Sequence, residues 1–368
     1  MKALTFRGRE KIAYETVADP EIVSSRDVIV KVHRAGICGS DLHPYFERER
    51  GLDHGTAMGH EFTGEIVETG RDVTSLARGE MVFSPFTTNC GNCFYCGIGL
   101  TCRCIHGQLF GWVEKGKGLH GAQAEFVRVP HAEATLMKIP DSIHESDALL
   151  LGDILSTGYF CAHQAGIQPG QSCAILGCGP VGLLAIPAAR ELGAGQVFAI
   201  DQIDARLRKA AQFGAEPIHL NRDNPAERIM EATEGRGVDA VMEVVGSESA
   251  TRLALALVRP GGTISAVGVH TSTRFPISPI QAYDKNLTYK IGRCPARHFM
   301  EHLIPLVQSR KYDFRSIISH HMNLADGAEG YSIFAARKDN CTKVVLEIEP
   351  LKSSPLSHPS DIADTPDT

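Results

Sequence analysis

The sequence predicts an α/β protein in which a β-barrel-like domain is joined to a doubly wound parallel sheet. Two observations carry this. The first 150 or so residues hold short β-branched runs broken by glycine, whereas from Ser172 onward single strands alternate with helical patterns. Many short strands with turn signals imply a curled or closed sheet, and strand–helix alternation implies parallel βαβ units. A length of 368 residues with 43% hydrophobic content is enough for two cores.

Taken in order, MKALTFRGREKIAYETV reads as a strand and a turn, without the apolar core of a signal peptide. DVIVKVH, EFTGEIVETG, EMVFSP and AEFVRVP then read as strands of the first domain. SCAILG precedes a helical PVGLLAIPAAREL, QVFAID precedes DARLRKAAQFG, and VDAVMEVVG precedes a helix through RLALALV. GTISAVGV and NLTYKIG complete that series, followed by a helix in ARHFMEHLIPLVQSR and a last strand in CTKVVLEIEP. Pro187 falls inside an expected helix, against the local rule. The expected boundaries are 1–153 for the first domain, 154–293 for the doubly wound domain, and 294–350 returning to complete the first. Residues 351–368, rich in Ser, Pro and Asp, are expected to be a disordered tail.

Charge excludes some classes of partner. With 37 basic and 43 acidic residues the net charge is −6, so there is no basic footprint for nucleic acid. No stretch approaches 18 uninterrupted apolar residues, so no membrane span is expected. Eleven cysteines could mean a disulfide scaffold, but five of them fall between Cys90 and Cys104. One dense cluster in a long chain without a signal peptide reads as metal binding in a reducing compartment. The expectation is a soluble, cytoplasmic protein acting on a small molecule.

Gly177-Cys178-Gly179-Pro180-Val181-Gly182 follows an expected strand and opens an expected helix. The first glycine allows the tight turn, the second lets backbone approach a pyrophosphate, and the third lets helix pack against sheet. Asp201 ends the next strand, where its carboxylate would accept the ribose hydroxyls of NAD and repel the extra phosphate of NADP.

Cys90, Cys93, Cys96 and Cys104 form C-x2-C-x2-C-x7-C, a spacing that can close a zinc tetrahedron with no open position. Cys102 is the spare. A second group is dispersed: Cys38 in GICGSDLH, His60 in GHEFTGEIVETG and Asp153 in GDILSTGY. Taken singly, each has an ordinary structural reading. Cys38 can be a buried thiol, His60 a structural imidazole, and Asp153 a helix cap.

Together, GHE-x2-G-x5-G, the four-cysteine loop, GxGPVG and the closing KVV resemble the zinc-containing medium-chain alcohol dehydrogenases over residues 25 to 347. That resemblance implies a GroES-like catalytic domain beside a Rossmann domain, one catalytic and one structural zinc, and NAD. It implies Cys38 and His60 as catalytic zinc ligands and the four-cysteine loop, with Cys104 in place of Cys102, as the structural site. Animal members carry cysteine where Asp153 stands. Asp153, together with GRCPARHFM from Gly292, resembles the glutathione-independent formaldehyde dehydrogenase and dismutase branch. Carboxylate and thiolate each bring one negative charge, so Asp153 would keep the site neutral with a harder donor.

The same resemblance implies roles for the surrounding residues. Asp41 would orient the His60 ring, Glu61 would lie behind the metal, and Ser40 and His43 would pass the alcohol proton to solvent. Phe86 would line the substrate pocket, and Thr157, Val267 and Val269 would flank the nicotinamide. Arg206 would lie near the adenosine and Lys343 near the pyrophosphate. Phe86 also reads as ordinary core, and Arg206 and Lys343 as solvated charges. The implied reaction is hydride exchange between an alcohol and NAD in a homodimer or homotetramer. Formaldehyde oxidation or dismutation, polyol oxidation and a non-enzymatic dinucleotide sensor or structural role are the alternatives.

Overall fold

The structure, a computed structural model, describes residues 1–348; the expected tail at 351–368 lies outside them. In chain order the first strands are β1 (Lys2–Phe6), β2 (Ile12–Thr16), β3 (Val28–Ile37), β4 (Phe62–Thr69) and β5 (Met81–Phe83). Next come β6 (Trp112–Glu114), β7 (Lys117–Leu119), β8 (Phe126–Val129) and β9 (Met137–Lys138). The alternating region supplies β10 (Ser172–Leu176), β11 (Gln196–Asp201), β12 (Glu216–His219), β13 (Val238–Glu243), β14 (Val258–Ala266) and β15 (Thr288–Ile291). Last are β16 (Ile318–Asn323) and β17 (Lys343–Glu347).

Seven strands build the first large sheet, in the order β16-β17-β3-β4-β5-β9 with β8 also paired to β3. The chain therefore returns to its first sheet after leaving it for the second. β3 is long enough to pair with β4, β8 and β17, all antiparallel, and its register with β4 shifts at two irregular points. Such shifts bend a strand and let the sheet curl. Val28, Val30, Val32, Phe62, Ile66, Val82 and Phe110 fill its interior.

The second sheet has the order β12-β11-β10-β13-β14-β15 and is parallel throughout. This is the doubly wound arrangement the strand–helix alternation predicts, and its order reverses between β10 and β13. Ligands of such sheets bind at the carboxyl ends of the strands beside that reversal. The helix Pro180–Glu191 starts there with Gly179 as its N-cap. It runs on through the buried Pro187, and nothing in the structure explains that residue.

Two helices, Glu145–Gly152 and Ile154–Ala165, connect the sheets and meet at Asp153. Asp153 has φ −136° and ψ −74°, outside helical geometry, which turns its side chain out of both helices. Gly152 makes that position reachable, since a Cβ there would lie 2.3 Å from the Ser84 carbonyl oxygen. Among the described residues, no helix is long and apolar enough to cross a membrane.

Candidate active site and zinc centres

Cys38 follows β3, His60 precedes β4, and Asp153 sits at the helix junction. The fold gathers ligand atoms of Cys38, His60, Glu61 and Asp153 within 4.8 Å of one another, all four residues buried. The Asp153 Oδ2 is 3.5 Å from the Cys38 Sγ and 3.4 Å from the His60 Nε2. Its Oδ1 accepts the Thr157 hydroxyl at 3.1 Å, and no backbone N–H is capped by this side chain. The helix-cap reading of Asp153 is therefore not what the carboxylate does.

Asp41 takes the far side of the imidazole, its Oδ1 lying 3.1 Å from His60 Nδ1. Its Oδ2 accepts the Cys38 backbone N–H at 2.9 Å and the Gln123 amide at 3.4 Å. Asp41 thus holds Cys38 and His60 in one frame, and by accepting the Nδ1–H it would leave Nε2 free to face a metal. The Ser40 hydroxyl lies 3.2 Å from that Nε2. Phe86 stands edge-on to the His60 ring, centroids 6.4 Å apart, and is at the same time part of the core.

The chemistry of this donor set fits a divalent cation. A thiol and two carboxylates share one dry space, and burial with the Asp153 and Glu61 charges pushes the Cys38 thiol up to about 11. A zinc ion would let thiolate and carboxylate coexist, and its accepted ligands are S, N and O of these types.

Glu61 and Lys343 form a buried ion pair, both side chains without exposure. The Lys343 ammonium also donates to the Ile37 carbonyl at 3.0 Å. Lys343 is therefore not the solvated charge that was one expectation for it. β17 inserts it into the interior, where its charge is taken by Glu61, whose other oxygen has no hydrogen-bond partner. His43 is half-buried with an unpartnered Nδ1; its backbone N–H donates to the Ser40 carbonyl at 3.0 Å, and among the described residues no side-chain hydrogen bond joins the two.

The cysteine loop makes a second centre. Ligand atoms of Cys90, Cys93, Cys96 and Cys104 lie within 4.8 Å of one another. Cys93 Sγ is 3.6 Å from that of Cys96 and 3.9 Å from that of Cys104. A tetrahedron with Zn–S bonds of about 2.3 Å spaces its sulfurs about 3.8 Å apart, so the loop fits zinc. The backbone N–H groups of Cys90 and His106 donate to Cys104 Sγ, while burial pushes that thiol above its ordinary value, a cost that a bound cation would offset. Cys102 points elsewhere, donating to the Arg293 carbonyl at 3.2 Å.

At the glycine turn, Gly177 has φ +93°, which L side chains rarely adopt. A Cβ on Gly182 would meet the Gly177 carbonyl oxygen at 1.8 Å, so the helix rests directly on the turn. A Cβ on Gly179 would meet only an Arg206 nitrogen, at 3.9 Å, leaving its backbone open to a pyrophosphate. Pro180 begins the helix and Val181 follows it, half-buried. Asp201 Oδ2 accepts the Cys178 N–H at 2.7 Å, and its Oδ1 accepts those of Gln202 and Ile203. Val267 and Val269 follow β14, and Val269 is partly exposed at 39%.

Sequence reasoning missed Gln123, Tyr331, Glu243 and His270. Gln123 is fully buried between Asp41 and the Tyr331 hydroxyl, which donates to it at 2.8 Å. A single buried amide has no spacing or period to announce it.

A doubly wound sheet with an open glycine turn, set beside a buried Cys–His–Asp cluster and a four-cysteine loop, defines a zinc-containing dinucleotide dehydrogenase. Comparison with known proteins agrees. Residues 24–141 match the alcohol dehydrogenase GroES-like domain and residues 180–309 the zinc-binding dehydrogenase domain. The chain is 42% identical to zinc-type alcohol dehydrogenase B of Aspergillus flavus, over 92% of this chain and 79% of that one. It is 30% identical to the glutathione-independent formaldehyde dehydrogenase of Bacillus subtilis, over 92% and 95%. An alcohol dehydrogenase structure from Thermus sp. ATN1 superposes with a TM-score of 0.89 at 38% identity, over 94% of this chain and 99% of that one. The chain belongs to the zinc-dependent medium-chain alcohol dehydrogenase family. It is a zinc- and nicotinamide-dependent alcohol oxidoreductase.

Proposed function

We propose that the chain oxidises an alcohol with NAD, reversibly, at a catalytic zinc held by Cys38, His60 and Asp153. The convergence of these three donors, with Asp41 fixing the imidazole, carries the reading. When bound there, zinc supplies Lewis acidity toward the alcohol oxygen, and the nicotinamide supplies the hydride acceptor. The protein's own residues do the rest. Ser40 accepts the hydroxyl proton, since its oxygen stands beside His60 Nε2. His43, whose burial and Arg48 neighbour hold it below the usual imidazole value, stays neutral as the onward acceptor. A water or hydroxyl must bridge the two. Phe86 lines one wall of the substrate space, and Thr157, Val267 and Val269 flank the nicotinamide. Gly177, Gly179, Pro180, Val181, Gly182 and Arg206 hold the rest of the dinucleotide. Cys90, Cys93, Cys96 and Cys104 hold the structural zinc.

NAD is the preferred cofactor in this reading because the Asp201 carboxylate, adjoining the glycine turn, repels a ribose phosphate. Freshly purified protein should contain two zinc ions per chain and reduce NAD faster than NADP across a panel of primary, secondary and aromatic alcohols. One zinc or none in active protein, or a higher kcat/KM with NADP, would overturn the respective assignment. We further place the protein in the cytoplasm, where thiol ligands stay reduced, as a homodimer or homotetramer. Asp153 and the Bacillus subtilis relative favour one second reading, formaldehyde oxidation or dismutation. NADH accumulating on formaldehyde alone marks the former, and disproportionation without net NADH the latter.

A further inference from the structure

Glu243 closes β13 with its side chain fully buried, and five groups converge on it. Its Oε1 accepts the backbone N–H groups of Val245 and Gly246, both at 2.7 Å. Its Oε2 lies 2.9 Å from His270 Nε2. Its carbonyl oxygen accepts the N–H groups of Val267 at 3.0 Å and Gly268 at 3.3 Å. One residue thus ties the segment after β13 to the segment after β14.

Those two segments are pressed backbone to backbone. A Cβ on Gly246 would lie 2.3 Å from the Val269 carbonyl oxygen, and one on Gly268 would lie 2.1 Å from the Gly246 nitrogen. On the other side, Val245 reaches the glycine turn, where a Cβ on Gly177 would meet its Cγ2 at 2.7 Å. The tied unit therefore runs from the turn proposed for the pyrophosphate to the valines proposed for the nicotinamide. Four of the five bonds are made by backbone groups. The fifth, from His270, comes from a partly exposed side chain directly after Val269 and is the one a substitution can remove without disturbing the strands.

We propose that Glu243 and His270 are positioning residues that set the Val267–Val269 segment against the nicotinamide ring, a reading that rests on the dinucleotide site proposed above. The pair touches no reacting atom. Its loss lets the segment drift from the ring, so affinity for the nicotinamide half falls while affinity for the adenosine half stays.

The test measures NADH and ADP-ribose binding in the holoenzyme and in His270→Ala and His270→Gln. A hydrogen bond to a charged group supports roughly a tenfold effect. His270→Ala should weaken NADH about tenfold, shrink the fluorescence change of the bound nicotinamide, and leave ADP-ribose within about twofold. His270→Gln keeps an N–H donor and should recover most of the loss. Unchanged NADH affinity in His270→Ala, parallel weakening of ADP-ribose, or failure of His270→Gln to recover would each overturn the proposal. Absence of ADP-ribose binding in the unaltered protein would instead overturn the cofactor assignment itself, so the two failures are separable.

Discussion

At the scale of single residues, the site is a matter of which atoms share one buried space. Asp153 would bring one negative charge to the metal, and its second oxygen is already occupied by Thr157. Asp153→Ala should lose the inner zinc while keeping the four-cysteine zinc, so the metal content falls from two ions to one with the fold intact. Asp153→Cys should retain both with altered kcat. A metal content unaffected by Asp153→Ala would remove it from the ligand set. His43 makes a kinetic prediction with a definite sign. Its folded value lies below 6.5, so it remains a neutral acceptor at pH 7 and loses that role as pH falls past its lowered value. kcat/KM should therefore show an acid limb below pH 6.5. His43→Gln should abolish that limb at a cost near the low end of the roughly 10²–10⁴-fold range for such assistance. An unchanged profile would leave His43 outside the mechanism. The residues of the inner site were legible because the family pattern spaces Cys38, His60 and Asp153 recognisably. Lys343 was not, because a lysine in a sequence is ordinarily a surface charge. Only the pairing of β17 with β3 sends it to Glu61.

At the scale of elements, two loops do work that regular structure does not. The glycine turn was legible, since three glycines at fixed spacing after a strand have few other physical reasons. The 1.8 Å approach at Gly182 makes it the least replaceable of the three. The pairing of the segments after β13 and β14 was not legible, because Glu243 and His270 are 27 residues apart with no repeat to connect them. The cysteine loop carries only one turn of α-helix, Phe94–Gly97, and a 3-10 turn, Thr101–Arg103. Phe94, Ile98 and Ile105 on it are exposed, so metal rather than apolar burial must hold it together. Cys93→Ser should therefore lower Tm, release one zinc, and make the loop sensitive to proteolysis. Chelator should reproduce this in the unaltered protein. A variant with unchanged Tm and two zinc ions would show that the loop folds without its metal.

At the scale of the whole molecule, the doubly wound sheet ends on one side at β15, which pairs only with β14 among the described residues. An unpaired edge is a template for another chain, and proteins usually blunt it with charge or cover it. Here one lysine, Lys290, is exposed on the strand, and large apolar side chains are exposed around it. Ile291 on the strand is 55% exposed, and nearby Phe275, Ile280 and Tyr283 are 57%, 68% and 82% exposed. The helix Pro279–Asp284, which carries two of them, has no buried residue at all. A second copy meeting the same patch about a two-fold axis would cover all of these at once, since an isologous contact buries each residue twice. The oligomer proposed above would use this contact. Placing like charges at such a centre costs several kcal/mol. Ile280→Glu combined with Tyr283→Glu should therefore reduce the oligomer to smaller units. Light scattering should read a multiple of 39.8 kDa for the unaltered protein and a lower multiple for the variant. Zinc content should stay at two ions per chain, because both centres are built within one chain. A double variant with the mass of the unaltered protein would move the contact to another face. An unaltered protein already at 39.8 kDa would remove the oligomer altogether.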